Sequence, residues 1–315
     1  MKPMQIILAV LFIAQLLIAG GLYSASQSKV VVRPDGVLVE YDSDEIDGIE
    51  IQDSENSVTI ASDEGNWVLP DYNNLPVQQI RVNTLLESIN GAKTGWAVAT
   101  KAASHQQLEV AEDKFTRRVE LSKKDETVVE LYVGTSPGLR RSHARKASDD
   151  EVYAIAINSY DLPAERSQWI DKSLLATDAD ITVTVVDDML SQVGDSWKIT
   201  DAEGNAQDAD NDAAEEFINA LKSMQIIDVA DTDPVNGSKK TLITKSDNES
   251  LTYTFATAND EYFVRRSDFE PFFKINASAY EKIADSDLGE MVKKAEESES
   301  EPASDDSSDQ SATTK

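Results

Sequence analysis

The sequence predicts an α+β fold: two tandem related domains of short antiparallel strands plus helices, after one N-terminal transmembrane helix. Three observations lead to this prediction. The chain is almost entirely apolar between residues 4 and 23, one order of strands and helix occurs twice after it, and both occurrences join short β-rich runs to one amphipathic helix. We accordingly divide the chain into an anchor, two α+β domains and a tail, at residues 1–28, 29–175, 176–294 and 295–315.

The composition excludes several classes of function. Of the 315 residues, 58 are acidic and 29 are basic, which gives a net charge of -29. Such a surface repels polyanions, so we expect no nucleic acid as a partner. The chain has no cysteine and two histidines, so disulfides, thiol nucleophiles and zinc–thiolate sites are excluded.

Residues 1–28 are predicted to be an uncleaved signal-anchor that crosses the membrane through Met4–Tyr23. A spanning helix needs about 20 apolar residues, whereas the core of a signal peptide has about 7–15. Lys2 and the terminal amine place the N-terminus in the cytoplasm and the rest of the chain outside it. A cleaved signal peptide, with Ser24–Ser26 as its cleavage site, is the alternative.

The two predicted domains share a sequence pattern in their first halves. In each, a tryptophan-bearing strand, at Trp67 or Trp197, precedes a helix with apolar residues at helical spacing. Asp212 is predicted to cap the second helix. The predicted buried faces of the two helices are Ile80, Val82, Leu85, Leu86 and Ile89, and Phe217, Ile218, Leu221 and Met224.

The second halves of the two domains also match. Each has a predicted hairpin, after which residues 143–155 align without a gap against residues 263–275. The alignment matches the basic pair at 145–146 with the pair at 265–266. Because the two copies are offset by 120 to 130 residues, far beyond the ~20–50 residues of a solenoid repeat, the pattern indicates two domains.

The chain is predicted to end in a disordered tail. A short helix closes each domain in the prediction, around residues 163–175 and 279–293. Residues 295–315 then hold seven acids and one lysine, with no aromatic or branched aliphatic residue. Such a segment cannot bury enough apolar area to offset the entropy cost of ordering, so we interpret it as a solubilising tail.

No residue pattern indicates a catalytic, cofactor or metal site, and we predict a protein that is not an enzyme. His105 has no acid or second histidine at ligand spacing, and the bases around His143 disfavour a bound cation, so both are expected on the surface. The acidic loop before the second helix fails the calcium-loop pattern, since Ala213 and Asn219 stand where glycine and glutamate are required. The tryptophans are expected in cores: Trp67, Trp96, Trp169 and Trp197.

Residues 114–146 form a local excess of positive charge, with nine bases and four acids. One interpretation is a docking surface for an acidic partner or an anionic glycan. The other, which we favour, is that these bases pair with acids of the second domain. With the basic pair of the second domain, the candidate interaction surface comprises Arg117, Arg118, Arg140, Arg141, Arg145, Lys146, Arg265 and Arg266.

Four short motifs carry a resemblance to a known family. They are W-V-L-P at residues 67–70, L-Y-V-G at 131–134, V-Y-A-I at 152–155 and W-x-D-K-x-L-L at 169–175. Their order, after one N-terminal membrane helix, resembles the bacterial domain-of-unknown-function family 4340 over much of the chain. The resemblance implies a membrane-anchored protein, of a kind often encoded beside ABC transporter permeases and gliding-motility-type auxiliary subunits. It assigns no catalytic or binding residue.

The leading hypothesis is a non-enzymatic envelope protein, held by one pass in the bacterial cytoplasmic membrane with its domains in the periplasm or outside the cell. It would act as an accessory or adaptor subunit of an ABC-type transport complex, with a transporter permease or auxiliary subunit as its protein partner. A second hypothesis is an extracytoplasmic module that binds a cell-envelope glycan or peptide between the two copies. A third is a hydrolase that uses two carboxylates about 5–10 Å apart.

Overall fold

The computed structural model describes residues 11–20, 36–177, 181–234, 239–246 and 250–293. They belong to two compact units, Met1–Ile170 and Asp171–Lys315, which we call unit 1 and unit 2. The sequence-based division lies five residues further along, between residues 175 and 176. Each unit is a mainly antiparallel sheet with helices, so the α+β class is confirmed.

The two ends of the chain are described in part. Residues 11–20 are helical, and the remainder of the predicted anchor Met4–Tyr23 lies outside the described residues, as does the predicted tail 295–315. None of the helices in the described part of the chain has the length and apolar character needed to cross a bilayer.

Unit 1 is organised around an eight-stranded antiparallel sheet. Its elements are β1 Gly36–Val37, β2 Gly48–Gln52, β3 Ser57–Asp63, β4 Asn66–Leu69, β5 Leu75–Pro76, α1 Gln79–Asn90, β6 Lys93–Thr94, α2 His105–Leu108, β7 Val110–Ala111, β8 Lys114–Phe115, β9 Arg117–Lys123, β10 Glu126–Val133, β11 Ser142–Lys146 and β12 Tyr153–Ile155. The strand order of the sheet is β12-β11-β10-β9-β2-β3-β4-β5. The pairs β1–β6 and β7–β8 form two small antiparallel ribbons.

Unit 2 is organised around a nine-stranded antiparallel sheet. Its elements are β13 Thr182–Val185, β14 Asp188–Val193, β15 Ser196–Thr200, β16 Ala206–Asp208, α3 Asn211–Lys222, β17 Ile226–Val229, β18 Lys239–Lys245, β19 Ser250–Ala258, β20 Glu261–Arg266, β21 Phe273–Ile275 and α4 Ala277–Ile283. The strand order of the sheet is β16-β15-β14-β13-β18-β19-β20-β21-β17.

The two sheets share one strand order and register. Strands β2–β5, helix α1 and strands β9–β12 of unit 1 correspond, neighbour for neighbour, to β13–β16, α3 and β18–β21 of unit 2. His143 pairs with Ala154 in unit 1, and Phe263 pairs with Lys274 at the equivalent position of unit 2. The gapless alignment of these two hairpins therefore holds in three dimensions. Unit 1 adds α2, β7 and β8 between its helix and β9, whereas unit 2 adds β17 beside β21.

Each unit packs one amphipathic helix against its sheet. The buried helix positions are Val82, Leu85, Leu86 and Ile89 on α1, and Ala214, Phe217, Ile218 and Leu221 on α3. Ile80, predicted on the buried face, is 82% exposed because it lies about 200° around the helix from Val82. The cap of α3 is Asp210 and not Asp212: Asp210 keeps an extended backbone, and its side chain accepts hydrogen bonds from the next turn.

The closing helix predicted for unit 1 is wrong in type. Two 3-10 turns, Ser159–Asp161 and Arg166–Gln168, stand near the predicted position, whereas unit 2 has α4 and a 3-10 turn at Leu288–Met291. Pro163 lies between the two turns of unit 1 and lacks the N–H that a continuous helix needs. In both units, the chain after these turns forms an isolated antiparallel bridge with the segment that precedes the long helix. The bridges are Ile170 to Val77, before α1, and Val292 to Ala209, before α3.

Candidate binding surfaces

Arg118 lies among carboxylates that face one another across three strands. Glu50, Glu120 and Glu130 stand directly opposite one another on β2, β9 and β10. The Arg118 guanidinium lies 3.9 Å from Glu50, 2.5 Å from Glu120 and 2.8 Å from Glu130. Its hydrogen bond to Glu130 raises the pKa of Arg118. Burial alone would raise the pKa of Glu130, but hydrogen bonds from Arg118 and Tyr132 outweigh it and lower that pKa.

Arg145 is enclosed by its own chain. Its side chain belongs to a residue that is 4% exposed, and its Nε donates to the Val110 carbonyl at 2.8 Å. Its Nη1 lies 3.1 Å from each of three carbonyl oxygens in the turn that follows β11. The guanidinium carbon lies 4.8 Å from the centre of the Tyr132 ring. Arg145 therefore fixes the turn and the segment around Val110.

Three more of the basic candidates form ion pairs inside their own units. Arg117 lies 3.4 Å from Asp53, and Lys146 lies 2.6 Å from Asp149, so both bases have a carboxylate partner within unit 1. In unit 2, Arg266 binds both carboxylate oxygens of Asp268, at 2.7 and 2.9 Å. Burial would lower the pKa of Arg266, but this bidentate bond raises it.

The remaining candidates differ in exposure. Arg265 lies over the ring of Phe272, with 4.7 Å from the guanidinium carbon to the ring centre. Arg141 donates to the Ala154 carbonyl on the neighbouring strand. Arg140 is exposed in the left-handed turn before β11, at φ 54°. The interaction surface that we infer from the sequence stays a prediction. Arg140 is the most exposed of its eight residues.

Both histidines are buried, which corrects the prediction that they lie on the surface. His105 places Nε2 2.9 Å from the Asp150 carbonyl oxygen. His143 places Nδ1 2.9 Å from the Thr135 hydroxyl oxygen. Burial lowers the pKa of His143, and a hydrogen bond with the Thr135 backbone offsets part of that effect. The physical reason is the segment α2–β8, which covers this face of the unit 1 sheet.

Trp169 opens the W-x-D-K-x-L-L motif and is fully buried in unit 1. Its indole N–H donates to the Pro163 carbonyl at 2.9 Å, and its own carbonyl accepts from the Gln78 N–H at 2.9 Å. The Arg81 guanidinium carbon lies 5.1 Å from the ring centre. Trp67 and Trp197 are buried as predicted, whereas Trp96 is 62% exposed and not a core residue.

Residues 171–175 of the same motif belong to unit 2. Asp171 accepts hydrogen bonds from the Ser173 N–H at 3.0 Å and the Ser173 hydroxyl at 2.8 Å, which closes the turn. Lys172 donates to the Ile227 carbonyl of β17, and Leu175 is fully buried. Asp171, Lys172 and Leu175 of the motif are thus structural anchors within unit 2.

Unit 1 and unit 2 carry a groove at the same place, between the helix and the segment after the last strand. The two grooves have volumes of about 500 Å³ in unit 1 and 420 Å³ in unit 2. By topology, Thr84 of the unit 1 groove corresponds to Glu216 of the unit 2 groove. The principal lining residues are Arg81, Thr84, Leu85, Ser88, Ile157 and Asp161 in unit 1, and Glu216, Asn219, Ser223, Asn276, Ala279 and Lys282 in unit 2.

Two exposed apolar residues, which we call the apolar rim, neighbour lining residues of the unit 1 groove along the chain. Ile80 and Tyr160 are each 82% exposed and directly precede the lining residues Arg81 and Asp161 in sequence. Ile80 also lies one turn before Thr84 on the same face of α1. In unit 2, by contrast, an ion pair of 2.9 Å between Glu216 and Lys282 joins the two sides of the groove. Helical periodicity assigns Ile80 to the buried face and therefore does not predict this surface.

A third cavity, which we call the acidic pocket, has a volume of about 570 Å³ and lies in unit 2 near β17, β20 and β21. Phe263, which is 8% exposed, packs against Ala256 and Phe272 and forms an apolar wall of the pocket. Lys274 forms an ion pair with Glu261. The charged residues that line the pocket are Asp228, Asp231, Asp233, Glu261 and Lys274.

The acidic loop before α3 is closed by its own contacts. Asp201 accepts hydrogen bonds from the Asn205 N–H at 2.8 Å and the Asn205 side-chain amide at 2.9 Å. Asp208 pairs with Lys198 at 2.7 Å. Within the ranges that the structure describes, no group of three or more histidine, aspartate or glutamate side chains is arranged to hold a metal ion.

Comparisons with known proteins identify the family. No curated protein and no solved structure gives a match to the chain. The family model described as a domain of unknown function, DUF4340, matches residues 67–245. The matched range begins in β4, includes both recurring tryptophan strands and the W-x-D-K-x-L-L motif, and ends with β18. Because this range is more than half of the sequence, the resemblance is confirmed and the chain belongs to the DUF4340 family.

Proposed function

We propose that this protein is a non-enzymatic, membrane-anchored envelope protein that acts as an accessory or adaptor subunit of an ABC-type transport complex. The observation that carries the proposal is the groove of unit 1, in which a buried apolar floor adjoins an exposed apolar rim. Leu85 and Ile157 form the floor, each 3% exposed, and Ile80 and Tyr160 stand at the rim. A transporter permease or auxiliary subunit is the partner that we assign to this groove.

Physical chemistry favours protein docking at such a rim. Exposed apolar patches bordered by polar side chains are typical of interaction sites on soluble domains. Burying an isoleucine or an aromatic side chain stabilises a complex by about 1.5–3 kcal/mol before the costs of association. Arg81, Thr84 and Asp161 supply the polar border. Two large side chains in one groove are therefore enough to anchor one helix or loop of a partner.

We also propose that the two units are tandem copies held outside the cytoplasm by an N-terminal signal-anchor. The order of eight strands that the two sheets share supports the duplication. The apolar run at residues 4–23 and the positive charge at its start support an anchor with its N-terminus in the cytoplasm. An adaptor needs such a tether, because the anchor confines its domains to the membrane where the transporter lies.

Site-specific photo-cross-linking in native membranes tests the adaptor proposal. A photoreactive phenylalanine analogue is placed at residue 80 or residue 160 of the full chain, and cross-linked partners are identified by mass spectrometry. We expect an ABC permease or its auxiliary subunit at both positions. The matched control carries the same analogue at residue 227, where Ile227 is 44% exposed in unit 2.

Two results would overturn the adaptor proposal. One is a cross-linking pattern at residues 80 and 160 that is the same as at residue 227. The other is purification of the full chain in mild detergent without any transport component, from membranes in which the transporter is present.

A further inference from the structure

The hairpin between β10 and β11 of unit 1 ends in a two-residue turn with an unfavourable sequence. Leu139 and Arg140 form its tip, between Gly138 and Arg141, which pair with each other in an antiparallel bridge. Their φ angles are 56° and 54°, in the left-handed region where the Cβ atom crowds the backbone. Two-residue hairpin turns with both φ angles positive favour asparagine, aspartate and glycine. Leucine and arginine are therefore costly residues for this turn.

Unit 2 makes the same turn with favourable residues. Asn259 and Asp260 form its tip, with φ angles of 52° and 62°, between two paired residues of β19 and β20. The offset of 120 residues that aligns the two hairpins places Leu139 on Asn259 and Arg140 on Asp260. Short polar side chains tolerate this backbone because they form local hydrogen bonds. The fold therefore does not require leucine and arginine at the tip, and unit 1 carries the less stable pair.

The turn of unit 1 is fixed to the sheet although its tip is exposed. The Ser136 hydroxyl donates to the Arg141 carbonyl at 2.7 Å and accepts from the Gly138 N–H at 3.1 Å. The Arg141 guanidinium donates to the Ala154 carbonyl of β12. Leu139, at the tip, is 95% exposed. A tip that is already fixed loses little conformational entropy when it binds a partner.

The two side chains at the tip define the chemistry of a partner. Arg140 is exposed, and its side chain has no ion pair or hydrogen bond with any residue that the structure describes. A leucine beside an unpaired guanidinium is complementary to an apolar pocket with a carboxylate at its edge. A lipid surface fits less well, because one leucine buries too little apolar area for stable membrane binding and the net charge of -29 opposes an anionic bilayer.

We infer that the Leu139–Arg140 tip docks on a protein that has an apolar pocket edged by an aspartate or glutamate. Leu139 fills the pocket, and Arg140 pairs with the carboxylate. These contacts offset the unfavourable backbone conformation of the tip. The residues that line the unit 1 groove lie in α1 and in the segment after β12, so this inference does not rest on the adaptor proposal.

Exchanging the tip residues between the two units tests the energetic premise. In the full chain, Leu139→Asn/Arg140→Asp should raise the midpoint of thermal unfolding of unit 1 by about 3 °C or more. The reciprocal variant, Asn259→Leu/Asp260→Arg, should lower the midpoint of unit 2 by a similar amount. Hydrogen-exchange pulses at increasing temperature, analysed by mass spectrometry, give the midpoint of each unit. No rise for unit 1 would show that the tip is not strained and would overturn the inference.

Photo-cross-linking in native membranes tests the contact itself. An apolar photoreactive phenylalanine analogue replaces residue 139 of the full chain, and the matched control carries it at residue 259. We expect a protein partner at residue 139 alone, cross-linked through a peptide in which apolar residues adjoin an aspartate or glutamate. In the same background, Arg140→Asp should lower the yield about tenfold, whereas Arg140→Lys should keep most of it.

Three results would overturn the docking inference. They are cross-links from residue 139 to lipid alone, equal cross-linking from residue 259, and an unchanged yield in Arg140→Asp. The cross-links from residues 80 and 160 report separately on the groove. A partner at those positions without one at residue 139 would reject this inference and leave the adaptor proposal intact, and the converse result would do the opposite.

Discussion

The side-chain amide of Gln79 forms hydrogen bonds with both the N–H and the carbonyl of Trp67. Its Oε1 accepts a hydrogen bond from the Trp67 N–H at 2.8 Å, and its Nε2 donates to the Trp67 carbonyl at 2.8 Å. In unit 2 the Oδ1 of Asn211 accepts from the Trp197 N–H at 3.0 Å. Both amides belong to the first residue of the helix. The same contact therefore joins helix to tryptophan strand in each unit.

Replacing Gln79 by alanine should loosen this junction. Gln79→Ala leaves the part-buried N–H of Trp67 without its partner, whereas the Trp67 carbonyl keeps its hydrogen bond from the Val77 N–H, so we expect a cost of about 1–3 kcal/mol. Hydrogen-exchange mass spectrometry should show faster exchange in β4 and in the first turn of α1. Gln107→Ala, at an exposed position on α2, is the control. Equal exchange in the two variants would contradict the structural role of the amide.

Arg118 should carry a charge-dependent part of the stability of unit 1. Arg118→Met leaves Glu50, Glu120 and Glu130 facing one another without a cation, and like charges on neighbouring strands repel. We expect a loss of about 2 kcal/mol in the free energy of unfolding at pH 7. Lys123→Met, which removes a solvent-exposed pair with Glu45, should cost less than about 1 kcal/mol.

Arg118→Met should also change how the stability of unit 1 depends on pH. In the wild type, the lowered pKa of Glu130 adds stability that is present above the unfolded value of 4.5 and is lost as the pH falls below it. In Arg118→Met, the charges of Glu50 and Glu120 repel the Glu130 carboxylate and raise its pKa, so stability should rise as the pH falls from 7 towards 5. Urea unfolding at several pH values measures both trends. A variant curve parallel to the wild-type curve would refute this account.

Periodicity and motif order were enough to predict much of the fold. The hairpin alignment, the α+β class and the buried faces of both helices follow from local patterns, because residue spacing fixes which side chains share a face. The partners of the basic residues could not be predicted from local patterns. Arg118 contacts Glu50, 68 positions earlier in the chain, through a strand pairing that no local pattern specifies.

The candidate surfaces were missed for a related reason. The groove and the acidic pocket are formed by segments distant in sequence, and their lining residues follow no motif spacing. The difference in loop length between the two copies was the available signal, since offsets of 130 and 120 residues imply extra chain in the first copy. That extra chain covers His143 and buries it.

His143 should make unit 1 less stable as the pH falls. Because burial lowers its folded-state pKa, the unfolded chain binds a proton near pH 6.5 that the folded unit resists. This contribution to stability is therefore present above the unfolded pKa of 6.5 and should be lost as the pH falls below that value towards 5.5. His143→Phe, which installs the residue found at the equivalent position of unit 2, should remove this decline. An unchanged slope in His143→Phe would show that another group titrates.

Lys172 of the W-x-D-K-x-L-L motif should hold β17 in place. Its Nζ donates to the Ile227 carbonyl, and burial lowers the pKa of Lys172 although the charge of Asp228 offsets part of the shift. Lys172→Met keeps the apolar stem and removes the donor, so we expect a loss of about 1 kcal/mol. Amides of β17 should then exchange roughly fivefold faster by mass spectrometry, whereas Lys172→Arg should restore most of the protection. Lys245→Met, at an exposed position on β18, is the control and should leave β17 unchanged. Unaltered exchange of β17 in Lys172→Met would mean that the motif lysine does not anchor this strand.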